Sequence, residues 1–235
     1  MLHQASLAAA LGLSAAGVLA GLSSPNPYPE KAPSSGDSIR WLVNVMFKFG
    51  RLLYVPLGLA MLHHSSLVLS YPDVPAAPLL GHGAANGLNP DMLTWSRATA
   101  LPIVLILCVG TPLRLVSYSG LGKNFTFALA KPDHLSTGGI YRYMQHPSYT
   151  GFAALVLGMA GLWGRLDGLP SCWLSPRVFS ILRDFEPAVV TVGVSLMVHV
   201  IWTRVKQEET MLHTEFGTEW ESWHSKTARF IPWIF

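Results

Sequence analysis

The sequence predicts an all-α, polytopic integral membrane protein, and three observations carry that expectation. First, only 12% of its 235 residues are charged, about half the share of an average soluble domain at ~25%. Second, long uncharged stretches recur between charged residues, each near the roughly 20 apolar residues that a spanning helix needs. Third, no stretch of useful length alternates apolar and polar residues as a strand would. Eight Trp and seven Tyr suit a chain with two lipid–water interfaces, where amphipathic rings settle.

The uncharged stretches give about five spanning helices. Residues 4–22 contain no acid or base and are rich in Ala, Leu and Gly. A cleaved signal peptide is the rival reading of this segment, but no Lys or Arg precedes it, so a retained helix is expected. Residues 52–71 lie between Arg51 and Asp73. The third stretch, 98–113, lies between Arg97 and Arg114 and belongs to a helix expected over about 94–113. It is long enough if both arginines snorkel outward. Residues 147–164 follow His146, and residues 187–203 lie between Glu186 and Arg204, in a helix expected to run on to about 212. Segments 23–38 and 72–91 are rich in Pro, Ser or Gly and read as loops. Two regions result: N-terminal membrane helices over 1–113, and a membrane-embedded region over 114–235 that ends in a cytosolic helical portion.

Orientation follows from the loops. Lys31, Arg40, Lys48 and Arg51 lie in 23–51, whereas 72–91 has no Lys or Arg. Arg114, Lys123, Lys131 and Arg142 lie in 114–146, and Arg204, Lys206, Lys226 and Arg229 follow 203. The N-terminus is therefore expected outside and the C-terminal region in the cytosol. The loop expected over 165–185, with Arg165, Arg177 and Arg183, breaks that pattern.

The formal net charge is only +3, and no basic run of five to eight residues exists, so no nucleic-acid partner is expected. Cys108 and Cys172 are too far apart for a C-x-x-C site, and no metal site is expected. The adjacent His63 and His64 point about 100° apart on a helix and do not make a tidy metal pair. They read as polar packing residues.

Polar residues at membrane helices are costly and therefore mark functional candidates. Two clusters stand out. The first is Gly138-Gly139-Ile140-Tyr141-Arg142-Tyr143-Met144-Gln145-His146-Pro147-Ser148-Tyr149-Thr150-Gly151. Pro147 suits the first turn of a helix, where its missing N–H costs nothing. Gly151 would let a ligand or a neighbouring helix approach closely. The second is Arg204-Val205-Lys206-Gln207-Glu208-Glu209. Arg204 and Glu208 are four apart and share a helix face, so they are expected to pair. Taken alone, each cluster also reads as an ordinary capped helix end.

Together with Leu121-Gly122, Phe125-Thr126-Phe127, Phe216-Gly217, Glu219-Trp220 and Ile231-Pro232, the ordered set resembles the isoprenylcysteine carboxyl methyltransferase family, most closely its fungal members, over about 114–235. The resemblance implies S-adenosylmethionine as cofactor. It implies prenylated CaaX-type proteins or peptides as substrates, a membrane-lipid setting in the endoplasmic reticulum, and a site facing the cytosol. It assigns cofactor binding to Gly139, Tyr141, His146, Pro147, Tyr149, Gly151, Glu208 and Glu209, and orientation of the substrate carboxylate to Arg204. Gln145 stands where the family usually carries Arg; Arg142 is the nearest basic residue that would compensate. His199 is a further residue that would line the pocket. Two other membrane proteins remain open readings: a phospholipid or other lipid methyltransferase, and a sterol-reductase-like protein with a nicotinamide cofactor.

Overall fold

A computed structural model describes residues 2–27, 37, 40–72 and 81–233. The helix α1 spans Leu2–Leu22 and α2 spans Arg40–Ser70. The two pack side by side. The expected linker 23–38 and the loop 72–91 lie partly outside the described residues. Next come α3 (Arg97–Val104) and α4 (Thr111–Leu121), joined without a break by a π-helical turn, Leu105–Gly110. The start of α3 is fixed by a capping box in which Ser96 and Thr99 satisfy each other's backbone N–H groups, which removes two orphan donors at the helix end. The helix α5 spans Pro147–Met159 and runs into a second π-helical turn, Ala160–Gly164. A short α6 (Leu169–Trp173) leads to α7 (Pro176–Phe216), and α8 spans Thr218–His224. The only strand-like pairing among the described residues is an isolated bridge between Met144 and Ala228.

The protein is thus an all-helical, polytopic membrane protein. Among the described residues, four segments are long and apolar enough to cross a bilayer: Leu2–Leu22, Pro90–Asn124, Pro147–Trp173 and Pro176–Phe216. The expected span 52–71 falls in α2, several of whose side chains lie outside the described residues. The helix expected over 147–164 matches α5 with its π-helical turn.

Two expectations need correction. The third helix does not end at 113 but continues to Leu121. Arg114 therefore does not snorkel from a helix end. It lies inside α4 and is 5% exposed. The last long helix begins at Pro176, not near 187, and most of the loop expected over 165–185 is helical. Arg177 and Arg183 were expected in that loop, and the helix was expected from 187 onward. Instead Pro176 occupies the first turn and Pro187 sits within the helix, where a missing N–H removes one backbone bond.

The core draws on α1, α2, α3, α5, α6 and the two π-helical turns, with Leu7, Leu11, Val18, Leu67, Ile106 and Leu155 enclosed. Small residues let these helices approach. A Cβ on Gly151 would stand 3.0 Å from the Gly110 carbonyl oxygen, and one on Gly158 would stand 3.0 Å from that of Pro102. Lipid offers no hydrophobic drive between helices, so such close backbone contact is what holds them together. His63 and His64 act in packing: Trp173 donates to His63 Nδ1 at 2.8 Å, and His64 Nε2 donates to the Met92 carbonyl at 2.7 Å.

Candidate functional site

The first cluster forms a loop that enters α5. A 3₁₀ turn spans Gly139–Arg142, and Gly139 has φ 58°, a left-handed conformation that costs glycine nothing. The turn buries Tyr141, whose hydroxyl reaches the Ser117 carbonyl at 3.5 Å and whose carbonyl accepts from Trp223 Nε1 at 2.8 Å. Burial pushes the Tyr141 phenol above its ordinary pKa, so it acts as a neutral hydrogen-bonding group.

After the turn, the backbone pairs with the segment that follows α8. The Gln145 N–H donates to the Ala228 carbonyl at 2.8 Å and the His146 N–H to the Arg229 carbonyl at 2.9 Å. The Gln145 side chain tightens this clasp. Its amide donates to the Thr227 carbonyl at 2.7 Å, to the Thr227 hydroxyl at 2.9 Å and to the His224 carbonyl at 3.1 Å. Its oxygen accepts from His224 Nδ1 at 2.8 Å. Gln145 is therefore fully engaged in holding the segment after α8 against the loop.

The second cluster meets the first at the end of α7. Glu208 accepts from the Tyr149 hydroxyl at 2.9 Å. His146 lies between the two glutamates: Nδ1 is 4.0 Å from Glu208 and Nε2 is 3.5 Å from Glu209. Its ring is buried, and neither ring nitrogen has a hydrogen-bond partner. Glu209 is held by Arg229 Nε at 2.7 Å and by Lys206 Nζ at 3.5 Å. The two glutamates thus have different surroundings. Glu209 is buried among three basic groups, whereas Glu208 faces a cavity.

Arg204 does not form the expected ion pair with Glu208. Its Nη1 lies 2.8 Å from an Asp37 carboxylate oxygen, and its Nη2 donates to the Phe127 carbonyl at 2.9 Å. Asp37 also accepts from the Leu129 N–H at 3.0 Å. A residue far away in sequence has taken the place expected for the i,i+4 partner.

These groups border a cavity of about 210 Å³. Its polar wall includes Arg114, Gln145, His146, Tyr149, Arg204 and Glu208. Its apolar wall includes Leu22, Phe125, Phe127, Phe152 and Ile201, drawn from α1, the segment after α4, α5 and α7. Tyr141 and Pro147 also line it. The structure therefore brings together most of the residues the sequence singled out.

Gly139, Gly151 and Glu209 stand apart from the cavity lining. Gly151 faces Gly110, Leu113 and Arg114 of the neighbouring helix, so its smallness serves helix packing. Arg142 and His199 are exposed and do not border the cavity. Sequence reasoning missed Asp37, Arg114 and Arg229. Arg114 had a signal, a lone charge in a long apolar run. Asp37 and Arg229 had none beyond their charge.

Among the described residues, no group of three or more His, Cys, Asp or Glu is placed to hold a metal ion. The family described as phospholipid methyltransferase matches residues 99–191, which takes in the loop before α5 but stops short of Arg204. A protein-S-isoprenylcysteine O-methyltransferase of Schizosaccharomyces pombe is 31% identical over 136 residues, covering 54% of this chain and 47% of that protein. The chain thus spans about half the length of that relative. A probable protein-S-isoprenylcysteine O-methyltransferase of Oryza sativa subsp. indica is 25% identical over 177 residues, covering 72% of this chain and 81% of that protein. The corresponding protein of subsp. japonica matches to the same extent. No solved structure matches the chain. The cavity is thus framed by both ordered motifs, and over part of its length the chain is similar to protein-S-isoprenylcysteine O-methyltransferases and to the phospholipid methyltransferase family.

Proposed function

We propose that the protein transfers a methyl group from S-adenosylmethionine to the C-terminal carboxylate of a prenylated cysteine, giving a methyl ester. The carrying observation is one cavity that joins an aromatic and aliphatic wall to a cluster of His146, Tyr149, Glu208 and two arginines. Prenylated CaaX-type proteins are the proposed substrates, met in the endoplasmic reticulum membrane with the site toward the cytosol.

The residues fit the cofactor. The buried His146 ring has two nitrogens without hydrogen bonds, and buried polar groups normally have partners. Glu208 offers a carboxylate to an ammonium group through a charge-assisted hydrogen bond. His146, Tyr149 and Glu208 would therefore hold the cofactor, with Glu209 and Tyr141 fixing their positions. When bound, S-adenosylmethionine supplies the methyl as a sulfonium.

The acceptor needs no proton removed. A free α-carboxyl has a pKa of about 3.3–3.7 and is ionised at neutral pH. The products are a neutral thioether and a neutral ester, so no proton changes hands. The residues need only position the reactants and exclude water, which suits a site without a nucleophile–base pair. Phe125, Phe127, Phe152 and Ile201 would receive the prenyl chain as it enters sideways from lipid.

One observation favours a second reading, methylation of a phospholipid amine. An amine must lose a proton, and His146 between two glutamates is placed to accept one. A single assay separates the two. Membranes holding the protein receive labelled S-adenosylmethionine with farnesylated cysteine or with phosphatidylethanolamine. Base-labile label on the cysteine is the expected result. Label only in phospholipid would establish the second reading, and label in neither, with the protein folded, would overturn both.

A further inference from the structure

We infer that Arg114, not Arg204, receives the acceptor's carboxylate, an assignment that rests on the reading above. The two guanidinium groups border the same cavity and are equally buried, at 5% and 4% exposure. Their surroundings differ. Arg204 already has the Asp37 carboxylate at 2.8 Å, and Glu208 lies one helical turn further along α7. A third carboxylate brought there would meet two negative charges.

Among the described residues Arg114 has no carboxylate partner. Its Nε donates to the Gly21 carbonyl at 2.7 Å and its Nη1 to the Ser148 hydroxyl. No carboxylate among the described residues forms an ion pair with it. A guanidinium carries five N–H donors in a planar fork, so these two bonds and a contact with the Tyr118 hydroxyl still leave donors for a ligand. The rest of its shell is aromatic. Tyr118, Phe125 and Phe127 have ring centroids 4.9, 5.6 and 5.1 Å from its central carbon. Ring faces attract a cation but do not neutralise it. A buried positive charge is costly unless paired, and a monoanionic ligand would complete this site.

The cavity is therefore electrically polar. Its Glu208 end attracts the positively charged cofactor, and its Arg114 end attracts the negatively charged acceptor. Ser148, adjacent to Tyr149, ties the two ends together at the start of α5. Phe125 and Phe127 line the cavity beside the guanidinium, so an acceptor seated there has its thioether and first prenyl unit against aromatic faces. Charge and hydrophobe are recognised at one place, as a prenylcysteine requires.

The test compares binding of S-farnesylcysteine as the free acid and as its uncharged primary amide, using the full chain in lipid nanodiscs. Wild type should prefer the acid by about tenfold or more, the scale of a charge-assisted contact. Arg114→Gln should bring that preference close to one while S-adenosylmethionine affinity is kept. Arg114→Lys, which keeps the charge and lacks the fork, should fall between. Arg204→Gln should retain the preference. Full preference in both Arg114 variants, its loss in Arg204→Gln, or its absence in wild type would overturn the assignment. A wild type that prefers the acid yet transfers no methyl group would overturn the proposed function alone.

Discussion

Two stretches of α7 have opposite surroundings. Along its apolar stretch the side chains are bare: Val189 is 63% exposed, Val192 66% and Leu196 60%. A few turns later Arg204 is 4% exposed, Val205 0% and Glu209 6%. In a soluble protein the apolar face would be covered and the charges would be wet. Here lipid solvates the first stretch and the protein encloses the second. The difference teaches where free energy is concentrated. Contacts at the Arg204–Glu209 end are specific and partnered, whereas those of the bare stretch are interchangeable hydrocarbon contacts.

The largest test of this contrast is Glu208→Gln. It removes the cavity's exposed carboxylate and should weaken S-adenosylmethionine binding by about 100-fold, from the value of a charge-assisted bond. A titration with purified protein reads this directly, and unchanged affinity would break the contrast. Arg229→Gln should come next. It removes the closest partner of the buried Glu209 and should cost about 2 kcal/mol, below the usual loss for a fully buried pair because Arg229 is partly exposed. Thermal unfolding in detergent checks it, with an unaltered melting temperature as the contrary result. Gly151→Ala is a smaller perturbation. It forces a methyl against the Gly110 carbonyl at 3.0 Å and should cost about 1.5 kcal/mol through overpacking. The least effect belongs to the bare stretch: Val192→Leu should change stability by less than about 0.5 kcal/mol. A large loss there would mean that something other than lipid covers α7.

The helical fold was legible because uncharged stretches of spanning length are hard to mistake. Its errors share one cause. Arg114 was read as the end of a helix and the arginines before Pro187 as a loop, on the rule that charge avoids the membrane interior. The rule holds for isolated helices. It fails at Arg114, where Gly21, Ser148 and three aromatic rings rebuild a polar shell from distant parts of the chain. The site was legible as two motifs, and His146, Tyr149 and Glu208 do meet. Their division of labour was not. Neighbouring positions on a helix differ by about 100°, which turns Glu208 to the cavity and Glu209 to Arg229. The expected Arg204–Glu208 pair lost to Asp37 because local spacing says nothing about a loop arriving from elsewhere.

The clasp between Gln145–His146 and residues 227–229 sets an order of assembly. A ribosome delivers the helices α1 to α7 before it delivers Thr227, Ala228 and Arg229. Until then Gln145 lacks its two Thr227 partners and Glu209 lacks its closest cation. The bundle can therefore be inserted in the bilayer while the binding site is still incomplete. A reporter fused ahead of residue 227 should record insertion of a bundle that lacks this clasp.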